Sequence, residues 1–412
     1  MAIDKGTTFG NPTITRVPTN DYSTEVLSAY EPIIFECSYS ASLNRAISGQ
    51  RITAEVFYEG VSLGTLNKSS ILVSGNPRFR FNVSEMLQTA LSSEVQTVLN
   101  TTNTIQTGSS YVAGNFYVIF TGYFITSVGN ALEDGTVTSQ TYTVANTILQ
   151  PDVTTRTLAQ YTMLGTGTPN SRYFLSKSPA NKVLRYGEVE QLFFLWTNSY
   201  TAELEYQTYD LSGSANASVK LTPVTILNNN GYMPFSVGGI LSAWTSISKV
   251  DIWLNQSSGS TRVSEKRTYK ISQESTCSTD VRLMWRNSLG GFDFFTFRDS
   301  YTKEYQVERI NYMKPLSDTI AVIDRQGKTL KNKGAHIYSV SSGFYPKEYL
   351  EMFEDLLDSN DVYWVQYTAG YWTNKMLPIV ITSNDMVIDD KEGVVKMGVE
   401  FTMSRPKKTH ND

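Results

Sequence analysis

The sequence predicts a mainly β protein: two tandem β-sandwich-like (Ig-like) domains followed by an α+β domain with one amphipathic helix. Three observations predict it. Aromatic residues make up 12% of the 412-residue chain, with 25 Tyr, while only 18% of residues are charged. That balance suits β-rich proteins with large contact surfaces and is opposite to that of disordered chains. Short β-branched and aromatic runs recur between turns that contain Gly. Finally, Phe81-Asn82-Val83-Ser84-Glu85-Met86-Leu87 matches Phe235-Ser236-Val237-Gly238-Gly239-Ile240-Leu241 at an offset of 154, and each block closes on a similar strand, at 141–144 and 268–271. Two copies of one β unit account for this.

In chain order, residues 1–25 read as an extended N-terminal arm, because Gly6, Gly10, Pro12 and Pro18 punctuate a stretch poor in apolar side chains. The first β-sandwich-like domain covers 26–150. Its strands include Ile33 to Cys37 and a hairpin from Ile52 to Leu66 that turns at Glu59-Gly60. Asn82 and Glu85 have capping-box spacing, and Leu87, Ala90, Leu91, Val95 and Val98 continue at helical spacing. Strands follow at 111–124 and 136–148. Residues 151–179, rich in Gly, Ser, Pro and Asn from Gly165 onward, read as a linker or loop, and 180–276 form the second sandwich-like domain.

A boundary near Cys277 follows from charge. The last 136 residues carry 36 of the 74 charged side chains. This C-terminal α+β domain, 277–412, opens with two apolar strands around Gly290-Gly291, and their aromatics, Trp285, Phe292, Phe294 and Phe295, cannot all face one side. That predicts a sheet covered on both faces. Pro346 suits the first position of a helix. Tyr349, Leu350, Phe353, Leu356 and Leu357 form its apolar face, with Glu348, Glu351, Glu354, Asp355 and Asp358 turned away. Strands at 362–367, 377–382 and 394–403 complete the domain.

Several function classes are disfavoured. A net charge of −4 excludes wrapping nucleic acid by bulk charge. Two His and two Cys leave little for histidine catalysis, a zinc module or a disulfide scaffold; Cys37 and Cys277 read as buried thiols. No apolar run reaches membrane-spanning length and no export signal is visible, so a protein made and assembled in the cytoplasm is expected. Gly60-Val61-Ser62-Leu63-Gly64 has the spelling of a nucleophile elbow, but it sits strand–turn–strand rather than strand–turn–helix. Gly327-Lys328-Thr329 lacks the first Gly of a phosphate-binding loop, since Val322 stands there.

Three clusters remain. Arg325, Lys328, Lys331 and Lys333 read as a basic hairpin loop: either a solvated tip, or a surface that meets DNA phosphates or an acidic patch on a neighbouring subunit. Asp385, Asp389, Asp390 and Glu392 lack calcium-loop spacing and read as a solvated hairpin. Tyr363, Trp364, Tyr367, Tyr371 and Trp372 suit a core, a subunit interface or a carbohydrate site. No pair of carboxylates stands out for glycoside hydrolysis. No cofactor, metal or catalytic set is expected.

The run Val281-Arg282-Leu283-Met284-Trp285-Arg286-Asn287-Ser288-Leu289-Gly290-Gly291-Phe292-Asp293-Phe294-Phe295-Thr296-Phe297 resembles virion structural proteins of tailed bacteriophages that infect Bacteroidota, including crAss-like phages. The hairpin at 56–66, the segment 78–87 and the closing pattern from helix 346–358 through Val362-Tyr363-Trp364 to Leu377-Pro378-Ile379-Val380-Ile381 are similar to the same group. The resemblance implies a non-enzymatic tail, neck or tail-tip component. Such a protein would assemble in the host cytoplasm as a ring or other homo-oligomer, with other virion proteins as partners and possible non-specific contact with packaged DNA. A glycan-binding fibre or adhesin is the second reading and a glycoside-cleaving enzyme the third; the repetitive shaft of a fibre is not seen.

Overall fold

A computed structural model describes residues 13–16, 26–38, 47–71, 78–93, 106–107, 112–126, 129, 131–148, 158–164, 172–185, 188–197, 201–225, 230–236, 244–256, 261–272, 274, 280–298, 301–313, 327–368 and 371–405. The protein is mainly β, with strands gathered into five sheets.

The first two sheets face each other across one core. One contains Thr13–Arg16, Ile34–Ser38 and Arg78–Asn82; the other is built around Ile47–Tyr58 and Ala113–Thr126. Alternation does the work. Ile52, Ala54, Val56 and Tyr58 are buried, while the residues between them are half-buried. Phe35 from the facing sheet meets Phe120 at 5.5 Å and Phe116 at 6.4 Å. Helix Ser84–Ser93 adds Leu87 and Leu91 to this core. Asn82 Oδ1 accepts from Ser84 N–H and Oγ–H, at 3.2 and 2.9 Å. The expected cap is therefore made one residue into the entry turn. Val95 and Val98 lie outside the described residues.

The next two sheets repeat this order. Leu27–Ser28 runs parallel to Tyr142–Ala145, which runs antiparallel to Ala113–Thr126, which pairs with Ile47–Tyr58. Likewise Asn181–Arg185 runs parallel to Arg267–Ser272, antiparallel to Ile247–Gln256, which pairs with Thr201–Asp210. Strand starts at 27 and 181, and at 47 and 201, keep the 154-residue offset seen in the sequence.

Four expectations change in detail. Part of the arm, Thr13–Arg16, is an edge strand paired with 36–38. The strand expected at 136–148 is two strands, Ala131–Thr138 and Tyr142–Ala145. Segment 151–179 is not simply a linker: Thr162–Leu164 joins a sheet, and Phe174 and Leu175 are fully buried, because apolar side chains in an irregular segment still seek a core. Gln106–Thr107, placed by sequence in the first unit, pairs with 231–232 in the second.

The fifth sheet uses only residues after 280. Its order is Phe292–Phe297, Val281–Arg286, Val362–Thr368, Tyr371–Asp389, Val394–Met403, Gly327–Pro346 and Thr302–Met313. A 3-10 turn, Lys347–Tyr349, follows Pro346 and leads into helix Leu350–Asp358. Tyr349, Met352, Phe353 and Leu356 are its buried face; Phe353 meets Phe295 edge-on at 5.0 Å. The Phe292–Phe297 strand is buried at every position. Phe292 and Phe294 enter a core shared with Phe193 and Leu195, whereas Phe295 and Phe297 enter the helix-covered core. This sheet is covered on both faces at that edge, as the aromatic pattern requires.

Candidate functional site

The Gly290-Gly291 turn is a structural joint. Gly290 has φ of 84°, and a Cβ there would overlap the Asn146 carbonyl oxygen; a Cβ on Gly291 would overlap that of Leu175. Glycine is required both for the backbone conformation and for close approach. Asn287 organises the turn: its Oδ1 accepts from Leu289 N–H and Gly291 N–H, and its Nδ2 donates to Leu175 O at 3.0 Å and Asp293 Oδ2 at 2.9 Å. Ile148 N–H donates to Ser288 O. Buried Asp293 also accepts from Ser176 Oγ–H and Lys177 N–H. The Val281–Phe297 run therefore ties the C-terminal sheet to both preceding units.

Behind this turn lies a buried ionic seam. Arg282, 1% exposed, pairs with Glu190 at 2.7 Å and Glu188 at 3.6 Å, and donates to Val189 O and Thr296 Oγ1. Thr296 Oγ–H donates onward to Glu188. Lys182 Nζ pairs with Glu190 at 2.8 Å and donates to Phe294 O. Burial lowers the Lys182 pKa, opposed by the Glu190 charge. Every member is hydrogen-bonded, as buried charges must be. A small cavity of about 10 Å³ borders Lys182, Glu188, Arg282 and Thr296, and the bonds across the seam read as a structural joint.

A cleft of about 340 Å³ opens beside the same turn. Tyr30, Asn146, Arg286, Ser288, Asp355 and Asp361 are among its lining residues. Arg286 pairs with Asp361 at 3.0 Å. The helix does not turn Asp355 to solvent as its sequence spacing suggests. Asp355 is half-buried, and its carboxylate accepts from Ser288 N–H and Oγ–H, both at 3.0 Å. Burial pushes its pKa from 3.8 up to about 6, outweighing the bonds from Ser288. The folded state therefore holds this proton more tightly than the unfolded chain. Its contribution is present at low pH and is lost as pH rises through about 6. Asp355→Asn should therefore gain stability relative to wild type as pH rises from 4.5 to 7.5, by about 1–2 kcal/mol after discounting for partial exposure. Paired melting curves across that range test this; a variant-minus-wild-type difference that does not change with pH would refute it.

The most exposed feature is the outer ribbon of the fifth sheet. Strand Thr302–Met313 is exposed at all twelve positions, including Tyr305, Val307, Ile310, Tyr312 and Met313. Among the described residues it is the terminal strand of the sheet, with no neighbour on its outer side. The one irregularity in its ladder falls between Ile310 and Asn311, where the inner strand advances from Lys331 to Thr329, so the outer strand itself is unbroken.

The predicted basic cluster lies on this ribbon. Arg325 is outside the described residues. Lys328, Lys331 and Lys333 are not in a loop: they occupy strand Gly327–Pro346, opposite Tyr312, Ile310 and Glu308. A stretch rich in Lys, Asn and Gly has weak β preference, and the ladder with 302–313 overrides it. The acidic cluster is the hairpin expected: Asp390 to Gly393 turn between two strands, and the side chains are mostly exposed. Ser62 donates to Glu55 at 2.6 Å within a hairpin whose turn, Glu59-Gly60, has positive φ at both positions. Trp364 packs against Tyr338 and Phe401, and Tyr363 against Phe292; the side chains of Tyr367, Tyr371 and Trp372 lie outside the described residues. Cys37 is a buried free thiol with its pKa pushed up to about 12 by burial; Cys277 and His410 lie outside. The His336 ring packs at a tilt against Tyr305, centroids 4.8 Å apart.

Among the described residues, no group of three or more His, Cys, Asp or Glu is placed to hold a metal ion, and no helix is long and apolar enough to cross a membrane. No family model and no curated protein matches the sequence.

Proposed function

We propose that this protein is a structural component of a tailed-phage virion, in the tail, neck or tail tip, that works by assembling with copies of itself and with other virion proteins. The observation that carries the reading is the outer ribbon strand Thr302–Met313, exposed at every position and bearing five large apolar side chains. Natural monomers protect such an edge with bulges, prolines or short strands. Here the strand carries the charges Lys303, Glu304, Glu308 and Arg309, which temper it as an edge, but the irregularity lies in the inner strand and the outer backbone offers a pairing and packing surface. The repeated strand order of the two preceding units supports a tandem Ig-like arrangement, which would hold the C-terminal sheet at a set position through the buried seam. The lysine-bearing part of the ribbon would face negative charge in the assembly, on a neighbour or on packaged DNA.

Mass photometry of the purified protein, alone and with candidate tail proteins, together with a search for it in purified virions, tests the reading. Oligomers and a virion-associated fraction are expected. A monodisperse monomer absent from every virion fraction would overturn it.

A further inference from the structure

The cleft beside the Gly290-Gly291 turn is built from three stretches far apart in the chain. Tyr30 and Ile148 come from the first unit, Arg286 from the strand before the turn, and Asp355, Asp358 and Asn360 from the end of the helix and the residues after it. Its walls are tied to one another. Ile148 N–H donates to Ser288 O at 2.6 Å, Arg286 N–H donates to Asp361 O at 3.1 Å, and Ser288 binds Asp355 Oδ2 through its N–H and its hydroxyl. A cleft cross-tied in this way is preformed, so a ligand loses little affinity to ordering it. Its volume, about 340 Å³, lies at the lower end of the range for small-molecule sites, roughly 300–1,000 Å³.

The polar groups of the cleft are rich in acceptors and lie apart from one another. Ser288 engages only Oδ2 of Asp355, which leaves Oδ1 for a ligand. Asp358 and Asn360 are exposed, and neither side chain, nor the Tyr30 hydroxyl, has a hydrogen-bond partner among the described residues. Arg286, the basic residue of the lining, is already paired with Asp361. Beside these groups stand two apolar surfaces, Tyr30 and Ile148, each 40% exposed. This combination selects among ligands. A metal ion needs convergent oxygens, and among the described residues no three carboxylates or other metal-ligating side chains are so placed. A compact ammonium likewise favours charge gathered at one point. Separated acceptors beside an apolar wall suit a sugar ring instead. Its hydroxyls point outward around the rim and donate to carboxylates and amides, and its C–H face packs on an aromatic or branched aliphatic side chain.

We propose that this cleft binds a neutral carbohydrate unit, with Tyr30 and Ile148 against its C–H face and with Asp355 Oδ1, Asp358 and Asn360 bonded to its hydroxyls. This adds a ligand-binding role to the assembly reading above and does not depend on it. A single small polar cleft binds weakly, and an assembly of many copies multiplies that affinity toward a glycan-coated surface.

Saturation-transfer NMR on the full-length protein tests this, with glucose, galactose, mannose, N-acetylglucosamine and lactose as probes and putrescine as a cation control. At least one sugar should receive saturation, with affinity in the millimolar range. Tyr30→Ala, and separately the double variant Asp358→Ala with Asn360→Ala, should each weaken the best sugar by about tenfold. Both variants should melt within a degree or so of wild type, because all three side chains are exposed. Saturation reaching none of the sugars would overturn the proposal. So would putrescine binding as tightly as the best sugar, which would make the cleft a cation site, or sugar binding that the variants leave unchanged, which would put the sugar elsewhere. Self-assembly is read separately by mass photometry, so failure here leaves the assembly reading standing.

Discussion

Phe294→Ala is expected to destabilise the C-terminal sheet by about 3–5 kcal/mol, the range for truncating a fully buried Phe. Phe294 has no solvent exposure. Its ring lies in the core shared by the second unit and the C-terminal sheet, with Phe193, Leu195 and Met284, and the Arg282 guanidinium sits 5.2 Å from its centroid. Removing the ring leaves a cavity that a strand buried on both faces cannot collapse to fill. The loss should appear as a clearly lower melting temperature. A Tyr305→Ala control on the exposed ribbon should melt within a degree or so of wild type, as surface substitutions do. Equal melting temperatures for Phe294→Ala and wild type would place the ring on an open surface and break the account of a two-sided sheet.

Arg282→Met should cost a similar amount, about 3–5 kcal/mol, because it strands Glu188 without its cation in a buried site and leaves Glu190 with Lys182 alone. Glu188 and Glu190 are 1 and 3% exposed, and Arg282 is the residue that contacts both. Arg282→Lys should fall between Met and wild type: it keeps the charge but loses the fork that reaches Val189 O, Thr296 and Glu190 together. Thermal or urea unfolding of the three proteins at pH 7 measures the order. If Arg282→Met is as stable as wild type, the seam is wet and does not fasten the second unit to the fifth sheet.

Some of this molecule is legible in the sequence alone. The Val281–Phe297 hairpin could be read because burial on both faces writes itself as an almost unbroken apolar run around a Gly pair. The helix after Pro346 was legible from spacing, although Met352 completes its buried face and Asp355 turns to the cleft instead of to water. A helix of nine residues has few positions, and its neighbours decide how wide its buried face is. The candidate site was less legible. Glu188, Glu190, Lys182 and Arg282 look in sequence like ordinary solvent-facing strand residues, and only the stacking of two sheets brings them together. Lys328, Lys331 and Lys333 were visible as a basic cluster, but their place on a strand was not, because a stretch of Gly, Lys and Asn carries turn chemistry in isolation.

What the sequence by itself determined is local: the β class, the duplicated order at an offset of 154, the turns at Glu59-Gly60 and Gly290-Gly291, and the start of the helix. These rest on the two-residue pleat, on φ > 0 at a turn and on the fixed φ of Pro, all of which act within a few residues. The tertiary structure alone decided that Phe174, Leu175, Ser176 and Ser178 are buried, that Gln106–Thr107 crosses to the neighbouring unit, that the charges at 182, 188, 190 and 282 form one seam, and that Phe344, Val380 and Val387 of the last sheet stay exposed. Each depends on partners far apart in the chain, such as Ser176 and Asp293 at 117 residues or Arg282 and Glu190 at 92. A side chain's type limits what it can bond to, but only the packed sheets bring distant partners within hydrogen-bonding distance.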